Sequence, residues 1–290
     1  MAAFGEVQTP LEQARVVVLP VPYDLSLSFL PGARKGPKAI LDASVELELF
    51  HAELGIDPSE VGIHAAEEVP WVAGDAAASH ALIRDAARRY LELGRFVVAL
   101  GGDHSITHPL VQAHREAVGA FTVLHIDAHT DLYPEWQGSI YSHASPIYRL
   151  VQEGIPVVQV GLRAISRESL ALIRAHRIPY FPAHRLHTQG WPLQEILDAL
   201  GERVYITFDF DALDPSVMPA VGTPLPDGLT YREAANLLTA VFQHKEVVGM
   251  DFVELSPNGT FHAEMTAAQL VYHAIGCKAL QAGWLQPEHE

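Results

Sequence analysis

Three short runs of this chain bring Asp and His together: Gly101-Gly102-Asp103-His104-Ser105, Asp127-Ala128-His129-Thr130-Asp131 and Asp209-Phe210-Asp211-Ala212-Leu213-Asp214-Pro215. In an extended chain, residues i, i+2 and i+4 project to one side. Asp127, His129 and Asp131 can therefore converge on one point, as can Asp209 and Asp211. Four carboxylates together with the imidazoles of His104 and His129 carry too much charge for one ion. They suit two divalent cations bridged by a carboxylate or a hydroxide, and a hydroxide held in that way is a nucleophile at neutral pH. A donor set rich in oxygen and free of thiolate favours manganese over a structural zinc.

Each run has a plainer reading when taken alone. The chain has 16 His, so one histidine says little, and His108, His114, His184 and His187 are assigned no role. Gly101-Gly102 could be a tight turn and Asp214-Pro215 a turn or helix start, while Asp209 and Asp211 could be solvated carboxylates. The three runs together are different in kind. Each follows an apolar strand-like segment, and Asp residues in such a place are costly unless something positive neutralises them.

The segments that must carry these runs alternate between two patterns. Short, continuous apolar stretches read as buried strands: Val16–Leu19, Phe96–Leu100, Phe121–Leu124, Val157–Val160, Val204–Phe208 and Val247–Val253. Helical spacing is found around Pro37–Leu49, Ala77–Leu93, Ser166–Ala175, Leu193–Leu200, Thr230–Phe242 and Ala263–Leu280. Such alternation predicts an α/β fold, with helices on both faces of a mainly parallel sheet in a three-layer αβα arrangement. No Gly-, Ser- or Pro-rich linker and no internal repeat divides the chain, so residues 1–290 are expected to form a single domain. Ligands of open α/β sheets sit beyond the carboxyl ends of the strands, where the three runs fall.

Composition narrows the partners. With 19 Lys and Arg against 35 Asp and Glu, the formal charge of −16 disfavours nucleic acid and is compatible with a small cationic substrate. The only cysteine, Cys277, lies in an apolar stretch and reads as a buried thiol, which excludes an internal disulfide framework and a Cys-rich zinc site. No signal-like segment and no run long enough to span a bilayer is visible, so the expected location is cytoplasmic, without a membrane partner.

The three motifs, in this order, resemble the metal motifs of the arginase–agmatinase ureohydrolases, and the likeness runs from about Val16 to the last helical segment. Pro31-Gly32-Ala33-Arg34 with Gly36-Pro37, and Gly222-Thr223-Pro224 with Gly228-Leu229-Thr230, resemble two further segments of that family. The resemblance implies an arginase/deacetylase-like fold and two Mn2+ ions. His104, Asp127, Asp131 and Asp209 would hold one ion and Asp127, His129, Asp209 and Asp211 the other, with Asp103 and Asp214 behind them as ligand-orienting residues. It implies that Glu254 grips the guanidinium, which a carboxylate can do through two parallel hydrogen bonds. It further implies that Asp131 takes the proton of the attacking water and that His143 protonates the leaving amine. A trimer or hexamer is also implied.

Substrate is read from smaller features. Arginases usually carry an acid after the Gly-Leu-Arg strand end, whereas here Gly161-Leu162-Arg163 runs into Ala164-Ile165-Ser166. With Tyr141-Ser142-His143, this favours a decarboxylated substrate, agmatine, cleaved to putrescine and urea. Ala144-Ser145-Pro146 and the segment Asn258-Gly259-Thr260-Phe261-His262 depart from the agmatinase pattern. Either could reshape the pocket for guanidinobutyrate, arginine, guanidine or formimidoylglutamate. A one-zinc deacetylase does not need the Asp209 and Asp211 pair, and a binuclear phosphoesterase would bring Arg or Lys to its phosphate. A non-catalytic metal-binding homologue would be expected to have lost a ligand, and none is missing.

Overall fold

The structure is a computed structural model that describes residues 3–6, 8–26 and 28–288. The strand-forming runs become β1 (Val16–Val21), β2 (Ile63–Ala65), β3 (Phe96–Gly101), β4 (Thr122–Ile126), β5 (Val157–Val160), β6 (Tyr180–Phe181), β7 (Arg203–Asp209) and β8 (Glu246–Val253). They pair in parallel throughout, in one eight-stranded sheet of order β2-β1-β3-β8-β7-β4-β5-β6. The outermost strands β2 and β6 were not expected, because three and two residues are too short to carry a periodic signal.

Alternate residues of each strand feed opposite cores. Val16 and Val18 join Leu100, Ile126 and Phe208 on one face, while Val17 and Leu19 join Val97, Val123 and Tyr205 on the other. Parallel strands require long crossovers, and helices supply them. The helices are α1 (Gly36–Ser44), α2 (Ala76–Glu92), α3 (Thr107–Val118), α4 (Pro146–Gln152), α5 (Arg167–His176), α6 (Ala183–Gln189), α7 (Leu193–Ala199), α8 (Tyr231–His244) and α9 (Phe261–Gln281). Ile40 of α1, Leu238 of α8 and Val271 of α9 pack on the first face; Ile83 of α2, Leu110 of α3 and Ile147 of α4 pack on the second. The result is the three-layer α/β arrangement that the alternation of segments predicts.

Three helices lacked a sequence signal. α4 and α6 are seven residues each, and α3 buries His108, Pro109 and His114 along with Leu110 and Val111, which breaks the apolar period. Among the described residues no helix is long and apolar enough to cross a membrane. Cys277 is buried in α9, and burial pushes its thiol up to about 12, which leaves it protonated and inert.

Topology brings the motifs together. β3 and β4 follow one another in sequence, yet β8 and β7 lie between them in the sheet. The four central strands β3, β8, β7 and β4 thus end side by side, and their carboxyl ends run into Gly102–Ser105, Glu254–Ser256, Phe210–Pro215 and Asp127–Asp131.

Candidate metal centre

The first motif is shaped by a close backbone approach. A Cβ on Gly102 would stand 2.0 Å from the Tyr23 carbonyl oxygen, so only glycine fits. Next to it the Asp103 N–H donates to that same oxygen at 2.7 Å. The Asp103 carboxylate then accepts from the Ser105 N–H at 3.0 Å and from its hydroxyl at 2.5 Å. This opens the turn His104–Ile106 and directs the buried His104 toward the sheet end.

His104 is held in one tautomer. Its Nε2 lies 2.8 Å from Thr207 Oγ1, which donates its own proton to Asp251 at 2.6 Å. Thr207 must therefore accept from His104 Nε2–H, and Nδ1 is the nitrogen left to take a proton or a cation. That Nδ1 is buried without a hydrogen-bond partner among the described residues. It faces carboxylate oxygens of Asp127 at 3.2 Å, Asp131 at 3.2 Å and Asp209 at 3.1 Å. His129 Nδ1 sits 2.9 Å from Asp211 and 3.5 Å from Asp127. Asp127 thus belongs to two neighbouring groups able to hold an ion, one around His104 and Asp131 and one with His129 and Asp211.

His125 lies in the first of these groups, but its nitrogens are committed. Gln159 donates to Nδ1 at 2.9 Å, so the ring proton sits on Nε2 and goes to Asp127 at 2.7 Å. The role that remains is to orient Asp127.

The electrostatics describe a centre short of positive charge. Burial, with Asp211 and Asp127 alongside, holds Asp209 well above the usual carboxylate range. Burial and the nearby Asp103 push Glu254 the same way. Burial opposes ionisation of Asp127 too, but His125, His104 and His129 prevail and hold it well below. For His129, burial lowers the pKa while Asp211 and Asp127 override it and raise it to about 12. Neighbouring carboxylates likewise overcome burial at His104. Each sign says that these carboxylates draw in positive charge. With His104 Nδ1 turned to three carboxylates and the all-nitrogen-and-oxygen donors, the residues fit two divalent cations.

Asp131 at φ 50° and Glu254 at φ 69° both adopt left-handed backbone, which L-residues with side chains adopt at a cost and which concentrates at functional sites. Glu254 is pinned there: its N–H donates to the Gly102 carbonyl at 2.8 Å, and its Oε1 accepts from the His104 N–H at 2.7 Å. His143 is clasped by the segment after β1. Its backbone N–H donates to Ser26 Oγ at 2.8 Å, its Nε2 lies 2.7 Å from Ser28 Oγ, and Ser26 in turn donates to Asp103 at 3.0 Å. Arg163 staples the third motif in place by donating to the carbonyls of Asp211, Ala212, Leu225 and Pro226.

One pocket of about 400 Å³ joins these parts. It is lined by His104, His129, Asp131, Asp209, Asp211, His143 and Glu254, so every residue expected in the site faces it except Asp127, which is buried behind them. Ala164, Ile165 and Ser166, at the position where arginases carry an acid, also line it, as does Ala144. The Asn258 segment is absent from the lining, and Asn258 is tied instead to the Pro219 carbonyl at 3.1 Å; its expected effect on pocket shape is not borne out. Asp214 touches no ligand either. It accepts from Ser216 and Gly228 and closes its own loop.

Thr207, Asp251, His125 and Gln159 went unrecognised in the sequence. The signal available was a polar residue within an otherwise apolar, fully buried strand, which needs a partner to justify it. Thr207 and Asp251 are register neighbours on β7 and β8.

Comparison with known proteins extends the picture. Residues 14–277 match the arginase family. An N(1)-aminopropylagmatine ureohydrolase of Thermus thermophilus is 73% identical over 285 residues, covering 98% of this chain and 97% of that protein. An agmatinase of Chromobacterium violaceum is 35% identical over 93% of this chain and 84% of its own length. The crystal structure of a hypothetical agmatinase from Burkholderia thailandensis superposes with a TM-score of 0.86 at 30% identity, covering 95% of this chain and 89% of that one.

Proposed function

This chain belongs to the arginase family and is a ureohydrolase acting on a linear amidine, and from that premise we propose that it uses two manganese ions to hydrolyse the guanidino group of N(1)-aminopropylagmatine. The observation that carries the chemistry is the convergence of Asp127, Asp131 and Asp209 on Nδ1 of His104. What favours the substrate is the relative at 73% identity, which bears that substrate in its name. The preferred substrate thus moves from agmatine to its aminopropylated form, and the expected amine product from putrescine to spermidine. Agmatine is the second reading, supported by the 35% identical agmatinase and by the loop Tyr141-Ser142-His143.

In this reading His104, Asp127, Asp131 and Asp209 hold one ion and Asp127, His129, Asp209 and Asp211 the other, with residues 1–290 acting as one domain and assembling as a trimer or hexamer. When bound, the ions supply an acidified water as nucleophile and neutralise the carboxylates.

The remaining steps belong to the chain itself. Glu254, fixed by the His104 N–H, accepts hydrogen bonds from the guanidinium and holds its carbon against the attacking water. The water oxygen bonds to that carbon while its proton passes to Asp131. The bond from carbon to the alkyl-bearing nitrogen breaks as His143 protonates that nitrogen; the proton still on the former water oxygen then passes to the freed amine, and the proton on Asp131 returns to His143. Guanidinium and water are thereby converted to urea and an alkylammonium, with charge conserved. Thr207 and Asp251 keep His104 in the required tautomer throughout.

A urea-release assay on the manganese-loaded protein tests the reading, with aminopropylagmatine, agmatine, arginine and guanidinobutyrate in parallel. Preference for aminopropylagmatine is the expected result. Preference for agmatine promotes the second reading, and no urea from any of them defeats both.

A further inference from the structure

The polar residues of the pocket are unevenly spread. Its carboxylates are Asp131, Asp209, Asp211 and Glu254, and all of them sit at the metal centre or grip the guanidinium in the reading above. Aminopropylagmatine carries two more positive charges: a secondary ammonium after a butyl spacer and a primary ammonium after a further propyl spacer. Among the described residues no other Asp or Glu lines the pocket to receive them. Three aromatic rings do line it: Phe29, Tyr133 and Trp136.

These rings are held in a manner that suits recognition. Trp136 and Ser139 exchange backbone hydrogen bonds at 3.0 Å across a turn whose central residues, Gln137 (φ 50°) and Gly138 (φ 79°), are both left-handed. This is the tight two-residue turn that joins paired segments with least splay, and it fixes the Trp136 backbone. The Trp136 ring meets Tyr133 edge-on, with centroids 5.2 Å apart. Phe29 is 70% exposed, an unusual state for a phenylalanine that nothing in the core requires. Its neighbour Leu30 is nonetheless anchored, by an N–H donated to the Gly222 carbonyl at 3.1 Å.

We infer that Phe29, Tyr133 and Trp136 form an outer subsite that receives the terminal ammonium of the substrate's aminopropyl arm and so set selectivity for chain length. The inference rests on aminopropylagmatine being the substrate. Aromatic faces attract a partly desolvated ammonium through the ring quadrupole. They do so without the strong, slowly reversed pairing that a carboxylate would bring to a product that must leave. Leu30 and Ile165, which also line the pocket, offer apolar contact to the methylenes.

The test uses the manganese-loaded full chain with three substrates: aminopropylagmatine, agmatine, and N(1)-butylagmatine, whose arm ends in methyl where the natural one ends in ammonium. In the unaltered enzyme aminopropylagmatine is expected to surpass both others in kcat/KM. In Trp136→Leu, and separately in Phe29→Ala, that advantage over N(1)-butylagmatine should shrink roughly tenfold, the scale of a well-formed cation–π contact. Phe29 is too exposed for its truncation to unfold the chain, so a lost preference in that variant reports on recognition. If both variants keep the full preference, or if the unaltered enzyme does not distinguish the ammonium arm from the methyl arm, the subsite is elsewhere and the inference falls while the proposed function stands. If the unaltered enzyme instead prefers agmatine to aminopropylagmatine, the proposed substrate falls and takes the inference with it.

Discussion

Thr207 Oγ1 lies 2.8 Å from His104 Nε2, and its single proton is already given to Asp251. A strand hydroxyl thereby decides which nitrogen of the histidine is free to bind a cation. The two residues come from different motifs of the sheet, more than a hundred positions apart, and only the placement of β7 two strands from β3 makes the contact.

The first prediction follows from that contact. Thr207→Val keeps the shape of the side chain and removes the acceptor, so His104 is free to carry its proton on Nδ1, where it cannot be a ligand. Calorimetric titration with manganese should show affinity for one ion lowered roughly 10–100-fold, the usual effect of losing such a support. Thr207→Ser should restore most of it. Unchanged affinity in the valine variant would mean that the three carboxylates orient His104 without help.

Asp127 touches both halves of the centre, through His104 and His125 on one side and His129 on the other. Asp127→Ala should abolish urea release by three orders of magnitude or more on the scale of lost catalytic preorganisation, with fewer than two ions bound per chain. Its melting temperature without metal should fall at neutral pH, because His125, His104 and His129 hold the buried Asp127 well below the usual carboxylate range and lose that partner in the variant. Retained turnover would remove Asp127 from the mechanism.

Much of this was legible in the sequence, for identifiable reasons. The central strands are continuous apolar runs, and the motifs follow them at once, so both the α/β class and the gathering of His104, Asp127 and Asp209 could be read from pattern alone. The supporting residues could not. His125 and Thr207 each occupy a strand position where a hydrophobic residue would fit equally well, and their value lies in partners, Gln159 and Asp251, that only the strand order supplies. α3 escaped notice because its buried side carries histidines. The clasp of Ser26 and Ser28 on His143 joins positions 115 and more apart, a separation no local spacing encodes.

Acid should destabilise the protein through a histidine remote from the site. His114 is fully buried against the Tyr205 ring and the Cα of Gly249, where a Cβ would stand 2.1 Å from the imidazole. Its Nδ1–H donates to the Leu110 carbonyl at 2.8 Å, and burial pushes its pKa down to about 4. An unfolded histidine titrates near 6.5. Between those two values the unfolded chain binds a proton that the native protein does not, so stability is present in full above about pH 6.5 and is lost as pH falls toward 4. The loss reaches about 3 kcal/mol for this residue at most. His273, also lowered to about 4 by burial, acts in the same direction. Of the unaltered and His114→Leu proteins, followed from pH 7.5 to 4.5 without metal, the unaltered one should lose melting temperature more steeply as pH falls. Parallel curves would show that His114 takes up its proton without cost.

Glu254 separates holding the substrate from holding the metal. Its Oε1 accepts from the His104 N–H, so a change there could act on the ligand or on the guanidinium. Glu254→Gln preserves an oxygen able to accept from the same N–H but removes the charge that faces the cation. If the carboxylate's task is the guanidinium, two ions should still bind. The fall in kcat/KM should then be roughly a hundred- to a thousandfold, the scale of breaking a buried charge-assisted contact. The loss should be similar for agmatine and aminopropylagmatine, since both present the same guanidinium. That sets it apart from changes at Trp136 or Phe29, which should weigh on the longer substrate. Metal analysis and the two-substrate comparison together decide the matter: loss of an ion in Glu254→Gln would make the residue a support for His104, and its strained backbone at φ 69° would then serve the metal rather than the substrate.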